Sequence, residues 1–474
     1  MSNVSGQMSI VYKLLIFLIS FLILTRFYVD PDLGWHLALG RHFWADGEIV
    51  KADQFSWTLP GYLWGNRYFL YQILVTILFD RLGFILSVIF FGFLGAFAVL
   101  ILVGRIDLWK FLAVFLGVGV AISNLGFRPH TVSFLLFAVL LILCERKFFK
   151  TKQVALFWLV FFGIWANFHQ AFFVGILFLW LFMTIDFFWL WAKNRRLRKS
   201  LDWKVGNMVP RVACGLFALL GGFLTPFHSQ LWFSLVDDLL GAKTWMAIAE
   251  WQPIVLFIPS SLLFAFSGLI FVYIFFKRTY EVEPVWFLLA AFIFMLPFLA
   301  ANFVFFWAAI FIFLASRYFD VNFDFGRSKM SKLPLFFSLG AVVAALILAF
   351  FANLAESLSM ENRLRIDGYP AAAVNFLKKE HLGERLFNNY GWGGYLEWQY
   401  PQVKVFIDGR MTGWRTGEGG YILADYLAIL EKKCEVVEKY RIKTVLVRKD
   451  FKNDCFSSFR EIYKDLVAKI LVKN

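Results

Sequence analysis

The chain has 474 residues, of which 60% are apolar, 20% aromatic and only 17% charged, with 61 Phe and 19 Trp. Average soluble chains carry roughly 45–50% apolar and about 25% charged residues, so this composition excludes a soluble cytosolic enzyme, a disordered chain and a small disulfide scaffold. The net charge of +14 would suit nucleic acid in a soluble protein. In a polytopic membrane protein basic residues collect at cytoplasmic loop ends instead, and nucleic acid is not an expected partner.

A membrane-crossing helix needs about 20 mostly apolar residues. Segments of that kind run roughly over 11–28, 84–103, 107–126, 131–145, 154–168, 171–192, 211–227, 259–276, 285–300, 302–316 and 333–353. They predict about 11 transmembrane helices, the first an uncleaved anchor because no small-residue cleavage pattern follows it. Alternate loops are basic: Arg105 and Lys110; Arg146, Lys147, Lys150 and Lys152; Lys193, Arg195, Arg196, Arg198, Lys199 and Lys204; Lys277 and Arg278; Arg317, Arg327, Lys329 and Lys332. The other loops carry only Arg26, Arg41, Lys51, Arg67, Arg81, Arg128 and Lys243. The expected orientation is a cytoplasmic N-terminus and an extracytoplasmic C-terminal tail.

The first outer loop, 29–69, opens on Asp30-Pro31-Asp32 and continues as the amphipathic stretch LGWHLALGRHFWAD, which stops at Gly47. Asp30 as N-cap, Pro31 at the first position and Gly47 as C-cap predict a helix. Asp32 favours its positive end, and on that helix Asp32 and His36 lie one turn apart. A carboxylate at a lipid–water boundary can be tuned toward general-base work, so Asp32 is the expected base, with Asp30 or His36 orienting it. The same three residues are the candidates for a divalent metal, although the spacing supplies no complete ligand set. No cofactor is otherwise expected.

Arg67 closes this loop, and Arg128-Pro129-His130 occupies a short outer turn. A guanidinium holds phosphate with two parallel hydrogen bonds, which suits Arg67 and Arg128 to an anionic headgroup; interfacial anchoring is the plainer reading of each. His130, the Asn167-Phe168-His169 turn and Glu250-Trp251 could supply hydrogen bonds and a stacking face to a sugar. No phosphate-binding loop, dinucleotide fingerprint or nucleophile elbow is present.

The polar tail, 357–474, reads as a small α/β domain. Helices are predicted at 370–380, 420–432 and 456–470 and strands at 385–388, 403–407 and 443–447. Asp408-Gly409-Arg410 follows the second predicted strand, either as ligand residues or as a turn closed by its own Asp–Arg pair. Cys434 and Cys455 flank the last strand and are expected to form a disulfide if the tail faces an oxidising compartment. Cys144 and Cys214 sit in apolar spans as small hydrophobes.

The stretch DPDLGWHLALGRHFWADGEIVKADQFSWT resembles the first extracytoplasmic loop of GT-C superfamily membrane glycosyltransferases, in particular a bacterial branch with an Asp-Pro-Asp-x-x-Trp-His-Leu opening. Arg128-Pro129, Asn167-x-His169, Glu250-Trp251, LFNNYGWGGYLEW and VFIDGR extend the resemblance along the chain. It implies an inverting enzyme of the bacterial cytoplasmic (inner) membrane that moves a sugar from a polyprenyl-phosphate carrier to a glycan or protein acceptor at the outer face. In better-known members the acidic residue lies nine positions before an Arg of the same helix; counting back from Arg41 selects Asp32. The second acid usual after it is Leu33 here, and the arginines that relatives carry before Asn302 are replaced by Leu299-Ala300-Ala301.

The expected architecture is thus an α-helical polytopic membrane protein, GT-C-like over 1–356 and including the 29–69 loop, with a small extracytoplasmic α/β domain at 357–474. The rival functions are a carrier or flippase for lipid-linked glycans and a non-catalytic scaffold. Transporters place their sites near the midplane on broken helices, whereas the polar residues here gather at the outer ends.

Overall fold

A computed structural model describes residues 2–193, 201–240, 248–255, 259–320 and 333–473. Arg195, Arg196, Arg198, Lys199, Lys243, Arg327, Lys329 and Lys332 of the charge argument lie outside the described residues, as does the side chain of Lys204.

The helices follow the apolar segments. In chain order they are α1 (Ser2–Leu24), α2 (Leu33–Asp46), α3 (Phe69–Leu102), α4 (Leu108–Ala121), α5 (Pro129–Glu145), α6 (Ala155–Phe168), α7 (Phe172–Lys193), α8 (Leu201–Gly221) and α9 (His228–Leu240). Then come α10 (Pro259–Arg278), α11 (Pro284–Met295), α12 (Val304–Tyr318), α13 (Leu333–Ser357), α14 (Met360–Ile366), α15 (Ala371–Lys379), α16 (Gly393–Gln399), α17 (Ile422–Leu430) and α18 (Cys434–Lys439). Among the described residues, five helical stretches are long and apolar enough to cross a membrane: Phe69–Leu102, Phe172–Lys193, Ser261–Arg278, Ala301–Tyr318 and Gly340–Ser357. Shorter apolar helices occupy the remaining expected positions, so helix length by itself does not establish the count of about eleven.

The chain divides into two compact units. One comprises Met1–Arg26, Val88–Thr225 and Glu250–Ala355; the other comprises Phe27–Ser87, Pro226–Ala249 and Glu356–Asn474. The 29–69 loop thus belongs to the same unit as the tail. In the first unit α12 is buried over almost its whole length and packs against α4, α5, α10 and α11. Asp186, buried on α7, is matched by Lys147 at 2.7 Å and by the buried Arg211, as an ionisable group in an apolar bundle requires.

The second unit is built on a four-stranded sheet of β1 (Leu386–Asn388), β2 (Thr444–Arg448), β3 (Phe459–Lys464) and β4 (Ala468–Lys473), in the order β1-β2-β4-β3. β1 runs parallel to β2, while β4 pairs antiparallel with both β2 and β3. The helices expected at 370–380 and 420–432 form as α15 and α17. Two expectations fail. The 456–470 segment is a hairpin, not a helix: Asp465 Oδ1 accepts the N–H groups of Val467 and Ala468, tightening the turn, and pairing with β2 buries Ala468 and Ile470. Tertiary pairing overrides a local helical pattern. The 403–407 run makes no ladder strand but a single bridge to Ser56, because Asn388 accepts Phe406 N–H and donates to Ile407 O, occupying groups a strand would use.

Cys434 and Cys455 form the expected disulfide, with Cα atoms 5.0 Å apart and a sequence separation of 21. Closing a loop of that length removes unfolded-state entropy worth about 3 kcal/mol. Reduction should therefore lower the unfolding midpoint of the purified full chain in proportion; an unchanged midpoint under full reduction would show that the link adds no stability.

Candidate active site

The 30–47 segment forms the expected helix, but α2 begins at Leu33, so Asp32 takes the N-cap position expected of Asp30 and Pro31 lies in the turn before it. Asp30 Oδ1 accepts the Asp32 N–H at 2.8 Å within that turn, and Gly47 ends α2 with φ 70°. Asp30 is buried and Asp32 only half-buried, which leaves Asp32 the more accessible carboxylate. Its Oδ1 accepts the indole N–H of Trp35 at 2.9 Å. His36 is buried among aromatic rings, with Trp35, Tyr71 and Tyr68 centroids at 3.6, 4.7 and 5.1 Å.

The tail closes over this helix through missing side chains. A Cβ on Gly34 would overlap the Gly394 carbonyl, and one on Gly409 would overlap the Asp32 carboxylate. The glycines of GWGGY and DGR therefore have a steric reason: they let α16 and the 408–410 turn lie directly against α2. Gly409 thereby forms one wall of the Asp32 environment.

Asp408 and Arg410 are enclosed. Arg410 Nη2 reaches Asp408 at 2.6 Å and Glu397 at 3.0 Å, and Nη1 reaches Asp53 at 3.0 Å, with all four side chains essentially inaccessible. The rings of Phe55, Trp414 and Trp64 lie 5.0, 5.4 and 5.6 Å from the guanidinium carbon, favourable cation–π distances. Asp53 also accepts Ser56 N–H and Oγ–H at 2.9 and 2.6 Å. Of the two sequence readings, the turn with its own Asp–Arg pair is the geometry observed, extended by two further carboxyl groups.

Burial pushes Glu397 well above the usual carboxylate range; Arg410 opposes the rise, and Asp408 and Asp53 add to it. Burial alone would raise Asp408 as well, but the adjacent Arg410 charge and the hydrogen bonds from Arg410 and Glu397 outweigh it and hold Asp408 low. Three carboxyl groups around one guanidinium would carry excess negative charge; a neutral Glu397 relieves part of it. Asp53 and Glu397 were not expected here. The available signal was a lone Glu in the apolar run YLEW, since a buried carboxyl needs a partner.

In the other unit, Arg128 holds the N-cap position of α5 with Pro129 after it, and its Nη2 pairs with Glu250 Oε1 at 2.7 Å. A residue expected to hold phosphate thus meets one expected to contact sugar. His130 and His169 pack edge to face at 4.4 Å. His169 Nδ1 lies 2.8 Å from Ser133 Oγ, which also accepts the Trp165 N–H at 2.8 Å. Asn167 donates to Gly163 O and Leu224 O, which ties together the ends of α6 and α8. Trp251 lies 6.4 Å from the Phe303 ring, and Asn302 accepts from Asn124 at 3.0 Å. Arg67 borders a cavity of the unit that holds Asp32. Asp30, Asp32 and His36 do not assemble as a metal-binding group: among the described residues no three His, Cys, Asp or Glu side chains do.

No family model matches the chain, and no curated protein matches its sequence. Its fold does match solved structures. The Archaeoglobus fulgidus oligosaccharyltransferase, tethered to an acceptor peptide containing the NVT sequon, aligns over 93% of this chain and 69% of its own at 14% identity and TM-score 0.56. The A. fulgidus oligosaccharyltransferase AglB, in complex with an inhibitory peptide and a dolichol-phosphate, aligns over the same shares at 12% identity and TM-score 0.57. The apo form of the A. fulgidus enzyme covers 93% and 70%, at 13% and 0.53. At such identities the likeness is one of fold.

Proposed function

We propose that this chain is an inverting glycosyltransferase that moves a sugar from a polyprenyl-phosphate carrier to an acceptor at the extracytoplasmic membrane face. The observation that carries the reading is the oligosaccharyltransferase fold over 93% of the chain. Asp32, half-buried at the opening of α2, is the residue assigned as base. The bound peptides and dolichol-phosphate of the archaeal proteins make a lipid-linked donor and a peptide acceptor the first substrates to try. The basic loops support a cytoplasmic N-terminus and an outward tail.

In this mechanism the acceptor nucleophile attacks the anomeric carbon while the bond from that carbon to the carrier phosphate breaks. Asp32 takes the proton released by the nucleophile; Trp35 and the Gly409 backbone hold its carboxylate in place. Negative charge develops on the departing phosphate. Arg128 is the guanidinium assigned to meet it, exchanging Glu250 for phosphate; Arg67 borders the Asp237 carboxylate and is not assigned to phosphate. His130, His169, Glu250 and Trp251 are assigned to the sugar or acceptor. Asp408 and Arg410 are assigned to holding Gly409 against Asp32, not to touching substrate.

Purified full-length protein supplied with a radiolabelled polyprenyl-phosphate sugar and peptide or glycan acceptors should transfer label and release lipid phosphate. Label that only changes leaflet in vesicles, chemically intact, would overturn the enzyme in favour of a carrier. In the same assay Arg128→Lys should raise the donor KM about tenfold, because lysine keeps the charge but loses the planar fork. An unchanged KM would make Arg128 an interfacial anchor and leave the reaction standing.

A further inference from the structure

The unit that holds Asp32 contains a cavity of about 180 Å³ beside Arg67. Its wall is aromatic, formed by Tyr62, Trp64 and Trp414, and α9 contributes Gln230 and Asp237. Gln230, Ser234 and Asp237 recur at i, i+4 and i+7, so one face of α9 lines the space. Tyr62 and Trp414 stack at 4.7 Å with ring planes 14° apart, which makes the wall rigid. Asp237 Oδ1 accepts from Arg415 at 2.8 Å; a carboxylate has capacity for further donors.

Trp64 is 5% exposed and lines this cavity, yet its indole N–H has no hydrogen-bond partner among the described residues. Its Nε1 is closed off from the cavity, so Trp64 contributes ring surface to the wall.

We infer that this cavity is a saccharide subsite, shaped for one pyranose ring of the glycan that the enzyme handles. Each sugar hydroxyl both donates and accepts. The lining matches that, with Arg67 as donor, Asp237 as acceptor and the Gln230 amide as both. The apolar C–H face of a pyranose finds the aromatic wall. A bare phosphate would need donors alone and would be opposed by Asp237. The inference rests on the glycosyltransferase reading only for which molecule carries the ring.

The test measures binding without turnover. Full-length protein in nanodiscs is titrated with methyl glucoside, galactoside, mannoside, N-acetylglucosaminide and glucuronide, using saturation-transfer NMR and tryptophan fluorescence. At least one glycoside should bind saturably. Gln230→Ala and Asp237→Asn, on the accessible helix face, should each weaken it about tenfold at unchanged melting temperature. No glycoside binding, binding indifferent to both α9 variants, or Arg67-dependent binding of orthophosphate alone would each overturn the subsite. Sugar transfer without glycoside binding here would discard the subsite and keep the reaction; glycoside binding without transfer would do the reverse.

Discussion

Asp32→Asn should leave the protein folded and inserted but lower transfer by about 10²–10⁴-fold, the usual worth of a general base. That corresponds to about 3–5 kcal/mol of transition-state stabilisation. Asparagine keeps the shape, and its carbonyl can still accept the Trp35 N–H that Asp32 holds at 2.9 Å; only charge and basicity are lost. Asp30→Asn is the control. Asp30 accepts the Asp32 N–H, and asparagine caps a helix nearly as well, so its loss should be much smaller. Gly409→Ala offers an independent arm, because the added Cβ would overlap the Asp32 carboxylate. It should lower kcat although residue 409 contributes no functional group. Initial rates at saturating donor check all three, and wild-type activity in Asp32→Asn would remove Asp32 from the chemistry.

Arg410→Met should destabilise the unit that contains it by about 3–5 kcal/mol, the cost of removing one partner from a buried ion pair. The remaining carboxyl groups of Asp53, Asp408 and Glu397 would face one another with no counter-charge. Thermal unfolding of the full chain reads this, and an unchanged midpoint would refute the assigned role. Glu397→Gln should do little at mildly acidic pH, since glutamine imitates the protonated acid. Because the folded value of Glu397 is raised, its contribution is full below the ordinary Glu pKa and is lost as pH rises through the folded value. Asp408 is held low, so its contribution is full above the ordinary Asp pKa and is lost as pH falls through the lowered value. The wild type should therefore lose stability as pH rises above the ordinary Glu range, and Glu397→Gln should flatten that decline while leaving the acid limb in place. A decline equal in both proteins would show that Glu397 carries no retained proton.

The local features of this protein were legible in its sequence because each rests on neighbours within a turn or two. Apolar runs marked the helices, Gly47 ended α2 and its start lay within two residues of the expected cap, and the two tail cysteines lay close enough to join. What only the tertiary structure decided depends on partners hundreds of positions apart. Arg410 meets Asp53 across 357 residues, Gly409 and Gly394 are small because α2 lies against them, and the 29–69 loop shares a unit with the tail. The strand expected at 403–407 found its hydrogen bonds on Asn388 and the Phe55–Trp57 backbone, and the helix expected at 456–470 was drawn into the sheet by β2. Neither a buried ion cluster nor a strand's pairing partner leaves a periodic trace in its own segment, because the energy that fixes it comes from desolvation and hydrogen bonding against distant chain.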